Sequence, residues 1–142
     1  MNKLIRVGIV EKEKVLPFVP TKENKRVNSK RAFEGFINNK IETINIPIGG
    51  QRYQLFASSI VCARCGIEGK YFAIERQHNG NPNKFHLNLY AVNDQGQEVL
   101  MTKDHIKPKS LGGENVLSNY NTMCVNCNRK KADTYDTSIN NK

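Results

Sequence analysis

Two Cys-x-x-Cys pairs constrain this chain more than any other feature of its sequence. The first pair is Cys62 and Cys65, and the second is Cys124 and Cys127. Each pair can present two thiolates to one ion, so the four together suit a tetrahedral structural zinc (Zn²⁺) site. The alternative is four unrelated buried thiols, which the pairing of all four cysteines argues against. The 58 residues between the pairs imply a folded segment there, longer than the loop of a simple zinc ribbon.

The size and hydropathy of the chain suit one ordinary domain. Its 142 residues contain 38% hydrophobic residues, enough for a modest core that benefits from a metal staple. No run of 18 apolar residues is present, and Met1–Lys14 lacks the apolar centre of a signal peptide. We therefore expect a cytoplasmic protein with no membrane partner.

The charge of the chain favours a polyanionic partner. The net charge is +9, which points to nucleic acid more than to a basic protein without such a partner. The first 60 residues hold 11 basic and 5 acidic residues. Their densest patch runs from Lys22 to Arg31, and within it Lys30 and Arg31 are candidate phosphate contacts. The alternative for this patch is a solvated basic segment.

Residues 1–50 are interpreted as an N-terminal basic extension with one short helix. Leu4–Val10 is rich in β-branched residues and predicts a strand, whereas Val15–Lys25 contains two prolines and predicts a loop. Ser29 is a plausible N-cap for a helix that runs to Asn38, because apolar residues recur there at helical spacing. A further strand or extended piece is expected at Ile44–Ile48.

Residues 51–136 are interpreted as a second, β-rich domain, followed by a polar tail at 137–142. Phe85–Val92 alternates apolar and polar residues, and the turn residues Asn93–Gly96 join it to a return strand at Glu98–Ile106. The other predicted elements are strands at Tyr53–Ala57 and Tyr71–Glu75, loops at His78–Asn83 and Lys107–Asn115, a helical turn within Val116–Tyr120, and a last helix at Val125–Tyr135.

The most specific pattern begins at the end of that return strand. It reads Asp104-His105-Ile106-Lys107-Pro108-Lys109-Ser110-Leu111-Gly112-Gly113, passes Asn119, and ends in Cys124-x-x-Cys127-Asn128-x-x-Lys131. With these motifs in this order the chain resembles the HNH endonucleases of phages and mobile elements, over about residues 62–131. The resemblance implies an α+β fold: a ββα-metal core stapled by the four-cysteine zinc site, with the basic extension before it.

The chemistry of a phosphodiesterase can be assigned to these residues. A neutral imidazole is a good base near pH 7, so His105 is the candidate general base. Asp104 and Asn128 offer hard oxygen ligands for Mg²⁺ or Mn²⁺. The resemblance implies that Asn119 is a structural hydrogen-bonder that holds the loop and orients the His105 backbone. Each residue also has a structural alternative. His105 can be a structural histidine, Asp104 a surface or capping carboxylate, and Asn119 a plain turn former.

Several basic and polar residues around this pattern are candidates for supporting roles. Lys107, Lys109, Arg129 and Lys131 are candidate phosphate contacts, although Lys131 also suits a solvated helix face. His86 and Asn88 lie on the same face of a predicted strand. If this face borders the cleft, they can support the residues of the site. In contrast, Asn115 is interpreted as part of an ordinary turn.

The predicted function is metal-dependent cleavage of DNA, one strand at a time, with double-strand breaks needing a homodimer or two events. RNA remains open as a substrate, and other phage proteins are further candidate partners. The alternative is a non-cutting nucleic-acid-binding or phage accessory protein built on the same scaffold.

Overall fold

The computed structural model describes residues 3–20 and 29–131. These residues form a five-stranded sheet, a two-stranded hairpin and two short α-helices. In chain order the elements are β1 (Leu4–Glu11), β2 (Lys30–Ile37), β3 (Lys40–Pro47), α1 (Gln51–Ser58), β4 (Gly69–Gln77), β5 (His86–Val92), β6 (Glu98–His105), β7 (Tyr120–Cys124) and α2 (Val125–Lys131). The fold is therefore mixed α+β and sheet-rich, which confirms the predicted class at that level. Within the described ranges no helix is long and apolar enough to cross a membrane.

The large sheet has the strand order β1-β4-β5-β6-β7, and all its neighbouring strands are antiparallel. β1 comes from the predicted N-terminal extension and pairs along β4, from Leu4 opposite Gln77 to Glu11 opposite Tyr71. The extension therefore contributes an edge strand to the sheet that carries the second Cys pair.

The core lies on one face of this sheet. Leu87, Leu89 and Ala91 alternate along β5 and are fully buried, as the alternating pattern predicts. They belong to the same cluster as Phe33 and Ile46 of the β2–β3 hairpin. Burial of each large apolar side chain contributes about 1.5–3 kcal/mol, so these contacts hold the hairpin against the sheet.

The helix predicted from Ser29 to Asn38 is wrong, because β2 occupies that segment and pairs with β3 without a break. The turn between the strands is Asn38-Asn39, with φ values of 51° and 64°, a conformation that asparagine tolerates and that suits a two-residue hairpin. Phe33 is buried, but Phe36 is 57% exposed. Strand alternation, not the helical spacing, therefore decides which aromatic residue enters the core.

The strand predicted at Tyr53–Ala57 is also wrong, because α1 spans Gln51–Ser58. Tyr53 and Phe56 are three residues apart and both buried, which is the spacing of one helical face. Val15–Lys25, predicted as loop, begins with short 3₁₀ turns that include Leu16–Phe18.

The remaining strand predictions are confirmed within a few residues. They are Leu4–Val10, Ile44–Ile48, Tyr71–Glu75, Phe85–Val92 and Glu98–Ile106. The turn before β6 is also confirmed: the Gly96 N–H donates to the Asn93 carbonyl over 3.0 Å, and Gly96 has a φ of 77°. Several predictions lie outside the described residues: the basic residues Lys22, Lys25 and Arg26, the end of the last helix beyond Lys131, and the tail at 137–142.

Candidate functional site

The four cysteines converge on one point. Their sulfur atoms all lie within 4.8 Å of one another, and the Sγ atoms of Cys65 and Cys124 are 3.8 Å apart. Tetrahedral zinc–sulfur bonds of about 2.3 Å place two thiolates about 3.8 Å apart. The cluster can therefore hold a metal ion, and its spacing fits four ligands on one ion.

Backbone contacts bring the two Cys pairs together. The Ala63 N–H donates to the Thr122 carbonyl over 2.9 Å, which ties the first pair to β7 and so to the second pair. Within each pair the backbone N–H of the second cysteine points at the sulfur of the first, over 3.5 Å in both cases. These donors favour thiolates at Cys62 and Cys124.

The electrostatics of the cluster favour a cation. Burial raises the pKa of Cys127, and the neighbouring cysteine sulfurs raise it further. Burial also raises the pKa of Cys124. Burial opposes ionisation of Cys62 as well, but backbone hydrogen bonds, chiefly from Cys65 and Cys124, lower its pKa to about 6. One thiol is therefore prepared as a thiolate, and its crowded neighbours need a positive charge to ionise too.

A second site lies where β6 ends. A cleft of about 250 Å³ is lined by Lys103, Asp104, His105, Pro108, Lys109, Ser110 and Asn128. Asp104 and His105 are the last residues of β6, and Asn128 lies on α2, which packs against β6. Of the four residues that the sequence analysis assigns to the catalytic centre, the structure therefore brings together three: Asp104, His105 and Asn128.

The His105 ring is oriented by two contacts. Its Nε2 lies 2.8 Å from the Asn115 Oδ1, and the ring meets Tyr120 edge-on with 4.8 Å between centroids. An amide oxygen only accepts hydrogen bonds, so Nε2 carries the proton in this arrangement and Nδ1 keeps its lone pair. Sequence reasoning missed Asn115, because the Gly-Glu-Asn run is also typical of a turn.

Asn119 holds the loop that follows His105. Its Oδ1 accepts from the Lys107 N–H over 3.0 Å, and its Nδ2 donates to the carbonyls of Lys107 and Glu114. Its own carbonyl accepts from Ile106 over 2.7 Å. The side chain and backbone of Asn119 together close the loop that carries Asn115 back toward His105.

The loop needs glycine where it doubles back. A Cβ atom at Gly113 would lie 1.8 Å from the Lys107 carbonyl oxygen, and Gly112 has a φ of 89°. The Gly-Gly pair of the motif therefore follows from backbone packing and from a left-handed conformation.

Thr102 fixes the orientation of the Asn128 amide. The Thr102 hydroxyl donates to the Met123 carbonyl over 2.7 Å. Its proton is thereby used, so Thr102 acts as acceptor for the Asn128 Nδ2 at 2.9 Å. This bond holds the Asn128 nitrogen on Thr102 and leaves the amide oxygen as the atom available for a cation. Sequence reasoning did not single out Thr102.

Asp104 forms a buried ion pair with Lys131. The Lys131 Nζ donates to the Asp104 Oδ2 over 2.6 Å and to the His105 carbonyl over 2.7 Å. The side chains of Lys131 and Asp104 are only 1% and 9% exposed. The structure therefore buries Lys131 within the site, which differs from both sequence interpretations, a phosphate contact and a solvated helix face. Lys131 lies about one turn after Asn128 on α2 and contacts the last two residues of β6.

The other predicted phosphate contacts are spread over the surface. Lys109 lines the cleft, whereas Lys107 lines a neighbouring depression with Asn119, and Arg129 is exposed on α2. Lys30 is exposed on β2, and the Arg31 guanidinium lies 3.9 Å from the centre of the Phe18 ring. His86 and Asn88 line a separate opening between β5 and β6.

Comparison with protein families gives a match in the part of the chain that builds the cleft. Residues 92–142 match the family model described as HNH endonuclease. This match confirms the resemblance to that family over residues 92–142. Neither a curated protein nor a solved structure gives a match.

Proposed function

We propose that the chain is a metal-dependent endonuclease that nicks DNA, on the premise that its residues 92–142 match the HNH endonuclease family. The cleft that gathers Asp104, His105 and Asn128 carries the proposal. β6, β7 and α2 follow one another in the chain, with two 3₁₀ turns between the strands, and we assign them to the ββα-metal core. Residues 51–136 then form the nuclease domain, with 1–50 as its basic extension.

His105 acts as the general base. The Asn115 contact occupies Nε2, so Nδ1 is the ring nitrogen that accepts the proton of the water that attacks phosphorus. A neutral imidazole is a good base near pH 7. Asn119 has no chemical step, because its hydrogen bonds are all used to hold the loop.

The cleft fits a hard divalent cation. It offers one carboxylate and one amide oxygen, from Asp104 and Asn128, and Mg²⁺ typically takes few protein ligands and keeps several waters. When bound, Mg²⁺ or Mn²⁺ supplies positive charge that stabilises the leaving oxygen of the phosphodiester. Lys109, which also lines the cleft, attracts the phosphate that is cut and holds it against His105.

The four cysteines would hold a structural Zn²⁺. Four thiolates fill a tetrahedral shell and leave no open position for water, so this ion stabilises the fold and does no chemistry. Cys124 ends β7 and Cys127 lies in the first turn of α2. A zinc ion bound at these residues would therefore fix the start of α2 and with it Asn128, the next residue of the helix.

The ion pair of Asp104 with Lys131 favours a second candidate function. A lysine on the carboxylate competes with a divalent cation, as expected of a scaffold that binds nucleic acid without cutting it. Such a protein, or a phage accessory protein of the same kind, would bind zinc and shift DNA but ignore Mg²⁺.

A plasmid assay separates the two functions. Supercoiled DNA is incubated with the zinc-loaded protein and Mg²⁺ or Mn²⁺, beside Asp104→Asn and Asn128→Ala. We expect open circles to form before linear DNA, only with the cation, and much more slowly with either variant. Retarded but uncut plasmid at every cation concentration would reject the nuclease in favour of the binding protein.

A further inference from the structure

β5 and β6 pair only near the turn that joins them. Tyr90–Val92 lie opposite Glu98–Leu100, after which β6 pairs with β7 from Met101 to His105. The first half of β5 and the second half of β6 therefore separate. Between them lies a space of about 380 Å³, lined by residues of both strands and of β4; we call it the β5–β6 opening.

The β5–β6 opening is held by specific contacts. The Leu87 N–H donates to the Tyr53 hydroxyl over 3.1 Å, and the Arg52 guanidinium donates to the Leu87 carbonyl over 2.8 Å. Both partners come from α1, so the helix satisfies the backbone groups that a neighbouring strand would otherwise pair with. The separation of β5 from β6 is therefore a built feature of the fold.

The charges of the β5–β6 opening are predominantly positive. Arg52, Arg76 and Lys103 line it, and none of the three forms an ion pair with a carboxylate in residues 3–20 or 29–131. His86, which also lines the opening, has a lowered pKa because of burial and the nearby charges of Arg52 and Lys84. The positive field is thus felt inside the space as well as at its rim.

The carboxylate that lines the β5–β6 opening, Glu75, is already neutralised. It is 3% exposed and accepts hydrogen bonds from Arg6 over 2.8 Å, from Asn88 over 2.8 Å and from the Tyr90 hydroxyl over 2.7 Å. Apolar walls from Leu100 and Met101 lower the local dielectric. A cleft with one sign of charge and low-dielectric walls concentrates its field on an anion.

The β5–β6 opening adjoins the candidate active site. Lys103 lines both spaces, and Thr102, which lines the opening, holds Asn128 of the active site. A polyanion lying in the active-site cleft therefore reaches the opening along β6.

We propose that the β5–β6 opening binds a backbone phosphate of DNA next to the bond that is cut, with Arg76 and Lys103 as its cationic contacts. The inference rests on the proposed nuclease function, and it assigns part of the path of the substrate. Arg52 supports the space by holding Leu87 and adds to its positive charge.

The test is the salt dependence of DNA binding. A fluorescent DNA duplex is titrated with zinc-loaded protein carrying His105→Ala, which prevents cutting, and the affinity is measured by anisotropy from low to moderate salt. Arg76→Gln and Lys103→Gln are compared with Lys40→Gln, which removes the same charge from the exposed tip of the β2–β3 hairpin. Lys103→Gln also removes a contact of the Lys103 amine with the Tyr120 ring. Arg76→Gln does not affect that contact, so it tests the opening independently of the ring.

Each variant in the opening should reduce the slope of log affinity against log salt by about 0.9, the value for one lost phosphate contact on duplex DNA. Lys40→Gln should leave the slope unchanged. Equal slopes for all proteins, equal losses for all three variants, or no binding of the duplex would overturn the inference.

The plasmid assay keeps the two proposals separate. If the wild type cuts plasmid but the slopes are unaffected, the nuclease stands and the assignment of the opening falls. If binding depends on Arg76 and Lys103 but nothing is cut, the phosphate site stands and the nuclease falls.

Discussion

Removal of the Lys131 amine tests the reasoning about the active-site ion pair in depth. Lys131→Met keeps most of the side-chain volume but leaves the Asp104 carboxylate, which is 9% exposed, without its 2.6 Å partner. Breaking a buried pair in this way costs about 3–5 kcal/mol, because one charge stays buried and uncompensated. A surface pair would cost only about 0–1 kcal/mol.

The cost is measured by urea unfolding of the zinc-loaded protein without Mg²⁺. Lys130→Met is the matched control, because Lys130 is the preceding residue of α2 and is exposed. We expect a loss of about 3–5 kcal/mol for Lys131→Met and within about 0.5 kcal/mol for the control. In the double variant with Asp104→Asn, much of the loss should return, since no buried charge is then left unpaired.

The same variant tests the cation site. With Lys131 gone, Mg²⁺ is the remaining counter-charge for Asp104, so the cation should stabilise Lys131→Met more than it stabilises the wild type. A loss under about 1 kcal/mol would show that the pair behaves like a surface contact and would refute the burial argument. Equal Mg²⁺ effects on both proteins would refute the assignment of Asp104 as a metal ligand.

Three further predictions concern the zinc cluster, the loop and the acid limit of stability. Zinc should bind at one ion per chain, and Cys65→Ser should abolish this binding. A chelator that removes zinc should strongly lower the midpoint of thermal unfolding. An unchanged midpoint would refute the stabilising role of zinc. Gly113→Ala should lower the free energy of unfolding by about 1–3 kcal/mol in a thermal or urea melt, because the new Cβ would lie 1.8 Å from the Lys107 oxygen. Gly50→Ala is the control and should be tolerated, because a Cβ there has nothing within 4 Å. Equal effects of the two substitutions would contradict the close approach at Gly113. The pKa of Glu98 is lowered, first by hydrogen bonds from Arg6 and also by the Tyr71 hydroxyl. The ionised Glu98 therefore stabilises the fold above its ordinary pKa of 4.5. This contribution is lost as the pH falls through the lowered pKa. Glu98→Gln should therefore be less stable than the wild type at pH 6 and approach it at pH 3, and a difference independent of pH would exclude this cause.

Local patterns predicted the elements that depend on local residues. The alternation of Phe85–Val92 and the Asn93–Gly96 turn both appear in the structure, because a half-buried strand and a tight turn are encoded within a few residues. The segment around Phe33 and Phe36 fits a helix and a strand equally well by spacing. Its pairing with β3 decided the outcome, and that is a tertiary contact that propensity does not see.

The site was predictable in its residue types but not in its connections. Asp104, His105 and Asn128 stand out because acid, imidazole and amide groups occur in a specific order. The contact of Asn115 with His105 depends on how the loop closes. Likewise, the burial of Lys131 depends on how α2 packs against β6, and the β5–β6 opening depends on where two strands separate. These three features are tertiary contacts, and the spacing of residues in the sequence does not predict them.

The central claim is that His105 removes a proton from the water that cuts DNA. The most direct measurement compares plasmid nicking by the wild type, His105→Ala and His78→Ala at equal zinc content and in the presence of Mg²⁺. His78 is the matched control, because it is an exposed histidine in the turn after β4. Loss of a general base typically lowers the rate about 10²–10⁴-fold, so nicking should nearly vanish in His105→Ala and persist in His78→Ala. Nicking by His105→Ala at the rate of the wild type would contradict the account.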